Sequence, residues 1–168
     1  MTDKKICCFT GHRDFYDDTK ELFKILDVLL DNMITQGYTV FRAGGALGFD
    51  MLAAESILKK KENGRQIRLE LLLPCPDQAE HWSAANKARY KRILLLADSK
   101  EYIADRYTPY CMHMRNRRLV DGSSLCIAYC KRQSGGTAYT CRYATEKGLK
   151  IINLADYLPL NLKNKEEK

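Results

Sequence analysis

Short runs of consecutive apolar residues alternate along the chain with longer stretches whose apolar positions recur every three or four residues. Lys5-Ile6-Cys7-Cys8-Phe9-Thr10 is the first run; it stops at Gly11-His12-Arg13 and reads as a strand buried on both faces. From about Asp18 to Thr35, residues Leu22, Ile25, Leu26, Leu29, Leu30 and Met33 keep helical spacing, with Gly37 as the terminator. Gly37 to Arg42 is a second strand. Met51 to Lys61 is a helix with Met51, Ala54, Ile57 and Leu58 on one stripe, ended by Glu62-Asn63-Gly64. Ile67 to Leu73 is a third strand, closed by Pro74-Cys75-Pro76 because proline cannot continue a ladder. The pattern then predicts a helix over Ala84 to Ala97, a short strand at Glu101 to Ala104 and a helix over Tyr110 to Val120. A strand at Ser124 to Cys130, a helix over Thr137 to Lys147 and a last strand at Ile151 to Leu154 complete it.

Strands joined by helices imply a parallel sheet with right-handed crossovers. The expected architecture is therefore α/β: a Rossmann-like, three-layer domain with a mostly parallel sheet of five to six strands and helices on both faces. The length of 168 residues suits a single domain over residues 1–158, followed by a charged C-terminal tail at 159–168 that should fray. Ligands of such sheets bind beyond the carboxyl ends of the strands, so the loops after Thr10, Arg42 and Leu73 should share one edge.

Composition narrows the class. With 45% apolar and 29% charged residues, and no apolar run near the ~18 of a membrane span, the chain reads as globular with no membrane partner. Met1 to Lys5 is polar and leads straight into a strand, so no signal peptide is expected and the location expected is cytoplasmic. A homo-oligomer is compatible with these features. The seven cysteines are odd in number, scattered and without a CxxC pair, which favours free thiols. Cys7, Cys8, Cys126 and Cys130 fall in predicted strands, where cysteine acts as a small apolar residue. A zinc site from Cys75, Cys111 and a histidine is the less favoured alternative, and no metal is expected. The net charge of +7 permits attraction to nucleic acid or phosphorylated ligands. Its basic residues, including Lys59-Lys60-Lys61 and Arg115 to Arg118, read first as solvated surface.

Three polar turns carry the candidate chemistry. Gly11-His12-Arg13 ends the first strand; Gly44-Gly45-Ala46-Leu47-Gly48-Phe49-Asp50 links the second strand to a helix; Ser134-Gly135-Gly136-Thr137 opens another helix. Glycine lets a backbone approach a ligand, and the unpaired amides of a first helical turn favour anions. Gly44, Gly45 and Gly48 follow neither the G-x-G-x-x-G fingerprint nor the P-loop, so the turn is informative only beside the other two. Arg13 offers a planar cation for phosphate. His12 reads either as a donor to a ligand oxygen or as a structural loop histidine. Asp50 is favoured by the helix dipole but repels phosphate, so a ligand contact would be to ribose hydroxyls or a base amine. Arg115 and Asn116 are expected to face the same pocket. Trp82, the single tryptophan, could stack on a base, but packing beside an apolar helix is the favoured reading.

The order GHR, AGGALGFD, PCPDQAEHW, Tyr90, RNRRLVDGSS, SGGTAYT resembles the YpsA-like family of the SLOG superfamily over almost the whole domain. AGGALGFD is similar to the glycine-rich motif of DNA-processing protein A, and SGGT to the glycine-rich turn of Lonely Guy phosphoribohydrolases. The resemblance implies a Rossmann-like domain and a nucleotide or nucleotide-derived ligand. It also implies pocket positions at Gly11, Arg13, Gly44, Gly45, Asp50, Arg115, Asn116, Gly135, Gly136 and Thr137. Lonely Guy enzymes carry a glutamate soon after their PGGxGT turn, whereas this chain has Ser134 for the proline, Thr140 near the acid's place and its next glutamate at Glu146. The expected function is therefore to bind a nucleotide-like small molecule of the NAD or ADP-ribose type, as a sensor or regulatory module. The alternatives are N-glycosidic hydrolysis of a nucleotide and single-stranded nucleic-acid binding.

Overall fold

The computed structural model describes residues 5–158; the expectations for the polar start and the fraying tail lie outside the described residues. Twelve elements follow in order: β1 (Lys5–Gly11), α1 (Thr19–Thr35), β2 (Tyr38–Ala43), α2 (Phe49–Glu62), β3 (Arg68–Leu73), α3 (Ala84–Leu96), β4 (Ser99–Tyr102), α4 (Cys111–Val120), β5 (Leu125–Tyr129), α5 (Gly136–Glu146), β6 (Lys150–Asn153) and a closing 3₁₀ turn (Leu154–Tyr157). The six strands form one sheet in the order β4-β3-β2-β1-β5-β6, with every pairing parallel. Strands are added outward from β1 to β4, and the chain then returns to the other side of β1. That reversal leaves a crevice beyond the carboxyl ends of β1 and β5.

The apolar runs of β1, β3 and β5 are buried on both faces because each of these strands feeds two cores. Cys7, Phe9, Phe41, Leu69, Leu71, Leu73, Ile127 and Tyr129 face a large core shared with α1, α2 and α3. The intervening Cys8, Leu72, Cys126 and Ala128 face a smaller one shared with α4 and α5. Small side chains at Cys8, Cys126, Ala128 and Ala144 suit a thin second layer. Aromatic rings thicken the first, where Phe9 stacks on Phe41 at 6.1 Å and meets Phe49 edge-on at 6.4 Å. In α1, Leu22, Leu26, Leu30 and Met33 are buried, and the Asp18 carboxylate caps the helix by accepting from Lys20 N–H at 2.7 Å. All the described cysteines are free thiols. No helix among the described residues is long and apolar enough to cross a membrane.

Three expectations are corrected. β4 lies at Ser99–Tyr102 rather than Glu101–Ala104: it is a largely exposed edge strand, so no buried face sets an apolar alternation to mark its bounds. Cys130 is one residue past β5 and half-buried. Lys60, read as part of a solvated basic run, is buried and joins two helices. Its ammonium donates to Asp27 at 2.8 Å and Asp31 at 2.9 Å, both on α1. Burial opposes its charge, but the two carboxylates outweigh that and raise its pKa above the ordinary lysine value.

Lys60→Ala should therefore lower unfolding stability by roughly 2 kcal/mol, the scale of hydrogen bonds to a charged group. Lys59→Ala, which loses only a cation–π contact 5.3 Å from the Phe23 ring, should cost less than about 1 kcal/mol. Urea denaturation of both variants checks the contrast.

Candidate functional site

β1 delivers His12 and Arg13 to the carboxyl edge of the sheet, and His12 ties that turn to its neighbours. Its N–H donates to the Tyr129 carbonyl at 3.3 Å, and its own carbonyl accepts from Phe49 N–H at 3.1 Å, at the start of α2. Its Nε2 accepts from Lys131 N–H at 2.8 Å in the loop after β5, which places the proton of the neutral ring on Nδ1. Burial, with the charge of Arg132, pushes the His12 pKa below the ordinary histidine value and keeps the ring neutral. Its imidazole meets Tyr16 and Tyr129 edge-on at 5.5 Å and 5.7 Å. The histidine is thus the tie that brings two of the three turns together.

The second turn owes its glycines to close packing within the protein. Gly48 has φ of 83°, and a Cβ there would lie 2.6 Å from Arg13 Cα, so α2 can begin directly against the first turn only with glycine. A Cβ on Gly44 would lie 2.7 Å from Arg115 Cζ and 2.9 Å from Asp50 Oδ2. Gly44 therefore admits two buried charges, one from α2 and one from α4. Arg115 donates through Nη1 to the Gly44 carbonyl at 2.6 Å and through Nε to Asn116 Oδ1 at 2.9 Å. Asp50 Oδ2 accepts from Ala46 N–H at 3.4 Å.

Burial raises the Asp50 pKa to about 6; Arg115, the Ala46 amide and Arg13 offset only part of that effect. Desolvation also lowers the Arg115 pKa, against the pull of Asp50. The third turn leads into α5, whose N-cap is Gly135 with φ of 95° and no side-chain cap. The amides of its first turn are therefore open to an anion.

A cavity of about 380 Å³ lies between these turns. Of the residues singled out in the sequence, Gly11, His12, Arg13, Asp50, Arg115, Asn116, Gly135, Gly136 and Thr137 line it. Gly44, Gly45 and Gly48 do not: Gly44 backs Arg115 and Asp50, Gly45 packs against Leu73 and Tyr90, and Gly48 against the Arg13 backbone. The cavity adds Thr10, Asp14, Ala46, Met112, Leu119, Arg132 and Ser134. Two of these had a readable signal, since Met112 and Leu119 share a helical face with Arg115 and Asn116. Thr140, nearest to the place of the Lonely Guy glutamate, is buried and donates to the Gly136 carbonyl at 2.8 Å. Glu146 is exposed at the far end of α5. Among the described residues no group of three or more His, Cys, Asp or Glu side chains could hold a metal ion.

Comparison with known proteins agrees with this architecture. The YpsA profile, described as the YspA SLOG family, matches residues 7–157. A UPF0398 protein of Halalkalibacterium halodurans is 30% identical over 118 residues, covering 68% of this chain and 62% of that protein. The structure of DNA processing protein A from Helicobacter pylori, described by its single-stranded DNA binding mode, matches with a TM-score of 0.63 at 18% identity. It covers 89% of this chain and 64% of that one. The Moco carrier protein from Chlamydomonas reinhardtii matches with a TM-score of 0.52 at 18% identity, over 88% of this chain and 74% of that one. The chain thus spans less than two thirds of the length of the first two relatives.

The raised Asp50 pKa has a consequence for stability. The folded chain holds this proton more tightly than the unfolded chain. The contribution is complete below about pH 4, the unfolded value, and is lost as pH rises through the folded value. Asp50→Asn removes the charge and keeps the shape. It should exceed the parent in stability at pH 8, by a gap on the order of 3 kcal/mol that closes as pH falls toward about 4. Thermal denaturation of both proteins across that range measures it.

Proposed function

The chain belongs to the YspA SLOG family, and from that premise we propose that its crevice binds a nucleotide or nucleotide-derived ligand of the NAD or ADP-ribose type, as a sensor or regulatory module. One observation carries the reading: an uncapped helix N-terminus and the exposed Arg13 line the same cavity as the buried Asp50 and Arg115. The α5 amides and Arg13 are suited to phosphate, by aligned N–H donors and a planar cation. Asp50 is suited to ribose hydroxyls, because a desolvated carboxylate gains most from O–H donors. Arg115 spends two donor groups on Gly44 and Asn116 and keeps the rest of its guanidinium for the cavity. Asn116 accepts from Arg115 through Oδ1, which leaves its amide N–H groups for a ligand. One structural relative is described as a Moco carrier and another by single-stranded DNA binding, which accords with a ligand-binding role for this fold.

N-glycosidic hydrolysis is the second reading, favoured by the Asp50 pKa of about 6, which suits an acid or base near neutral pH. Incubation with nucleoside monophosphates would then release free base and sugar phosphate, and Asp50→Asn would stop it. Binding ranks first because no carboxylate lies in the first turns of α5.

Calorimetric titration with AMP, NAD and ADP-ribose should find a ligand whose affinity falls roughly tenfold or more in Arg13→Ala, the scale of a charge-assisted hydrogen bond. Asp50→Asn should weaken the same ligand while the protein stays folded. If none of the three compounds binds, the reading fails.

A further inference from the structure

We propose that the crevice is one half of a longer groove whose other half binds a nucleobase, so that the ligand is a nucleoside diphosphate carrying a second ribose on its far phosphate. The proposal rests on the nucleotide-binding reading above and adds the site that takes the base. A second cavity, of about 420 Å³, opens between the loop after β3 and the loop after β4. Arg13 and Met112 line both cavities, so the two meet at a shared wall along the carboxyl edge of the sheet.

The two halves differ in chemistry. Around the first stand Arg13, Arg115, Arg132 and the open turn of α5, which outnumber the carboxylates of Asp14 and Asp50. The second has no lysine or arginine beyond Arg13, and presents the carboxylates of Asp77 and Glu80, with His81 Nε2 3.8 Å from Glu80, and the rings of Trp82 and Tyr107. A phosphate is repelled there, whereas a neutral planar ring with an amino group is favoured on both counts. Trp82 is held in place: Tyr90 meets it edge-to-face at 5.2 Å and 71°, and Gln78 Nε2 fixes Tyr90 by donating to its hydroxyl at 2.9 Å. Gln78 also donates to the Gly45 carbonyl at 3.4 Å, so its own carbonyl oxygen remains as an acceptor beside the carboxylates. Tyr107 is 64% exposed, a large ring with a free face over the cleft.

Arg13 stands between the halves, which suits it to the first phosphate of a diphosphate. The order along the groove is then base at Trp82 and Tyr107, first phosphate at Arg13, second phosphate at the α5 turn and second ribose at Asp50. A long strand of nucleic acid suits the groove less well, because its phosphates would continue past Asp77 and Glu80.

Trp82 is the only tryptophan, so its emission reports the second half alone. ADP-ribose and ribose 5-phosphate are titrated against the full chain by calorimetry and by Trp82 fluorescence. ADP-ribose should bind roughly tenfold tighter or more, the value of one base stacked on an aromatic ring, and change the emission. Ribose 5-phosphate should bind without changing it. Tyr107→Ala and Glu80→Gln should each weaken ADP-ribose, Tyr107→Ala by roughly tenfold, and leave ribose 5-phosphate unaltered. If ADP-ribose is lost in Arg13→Ala but unaffected by those two variants, the base cleft is overturned and the crevice reading stands. If neither compound binds, both fall. If a thymidine oligonucleotide alone alters the emission, with steep salt dependence, the groove is a nucleic-acid site and the proposal is overturned.

Discussion

Asp50 and Arg115 are buried against the same glycine, and the site is built around the space they share. Asp50 comes from α2 in one helical layer and Arg115 from α4 in the other; Gly44, just past the end of β2, lies where the two layers meet. Any side chain at Gly44 would displace one charge or the other. The Arg115 guanidinium satisfies the Gly44 carbonyl and so joins the second layer to the end of the sheet. No direct ion pair joins the two among the described residues, so each charge retains capacity for a third party.

That arrangement departs from the way charge is buried elsewhere. Lys60 is matched by Asp27 and Asp31; of the helix starts, α1 and α3 are capped by Asp18 and Ser83, whereas α2, α4 and α5 have no side-chain cap. At the crevice a carboxylate is desolvated enough to hold its proton toward neutral pH, and α5 begins without a cap. Exceptions of this kind reduce stability unless something is bound, and their gathering at one edge is the physical argument for a ligand there. The winding of the sheet explains the place, since the reversal between β1 and β5 parts the loops.

Much of this was legible in the chain because apolar runs and helical spacing report burial directly. The buried runs at Cys7 to Phe9 and Leu69 to Leu73 became strands between two cores, and the three turns reached one edge as the βα alternation required. What was hidden depends on distances between segments remote in sequence. Lys60 is one of three adjacent lysines, and only the approach of α1 distinguishes it. The glycines of the second turn resembled a ligand loop, yet Gly44 and Gly48 make room for Arg115 and for the Arg13 backbone. β4 was read as a strand but two residues late, because an exposed edge strand carries no buried face to set its bounds. Trp82 was read as packing, and it does pack on Tyr90, but one residue can both pack and line a cleft.

Net charge is a poor guide to what this groove takes. The excess of +7 is spread over the whole chain, and many basic side chains stand away from the crevice: Lys61 with Asp98, Arg65 with Asp31, Arg92 with Glu62, Arg118 with Glu101 and Lys131 with Asp17 are paired, and none of these five cations lines either half of the groove. Along the sheet edge, three arginines outnumber Asp14 and Asp50 beyond β1 and β5, and Asp77 and Glu80 stand with aromatic rings beyond β3 and β4. Such a gradient discriminates by orientation. A ligand with phosphate at one end and a neutral ring at the other gains at both ends in one direction and loses at both when reversed. Strand order thus does more than place the crevice: by setting loops of opposite character side by side, it gives the groove a direction.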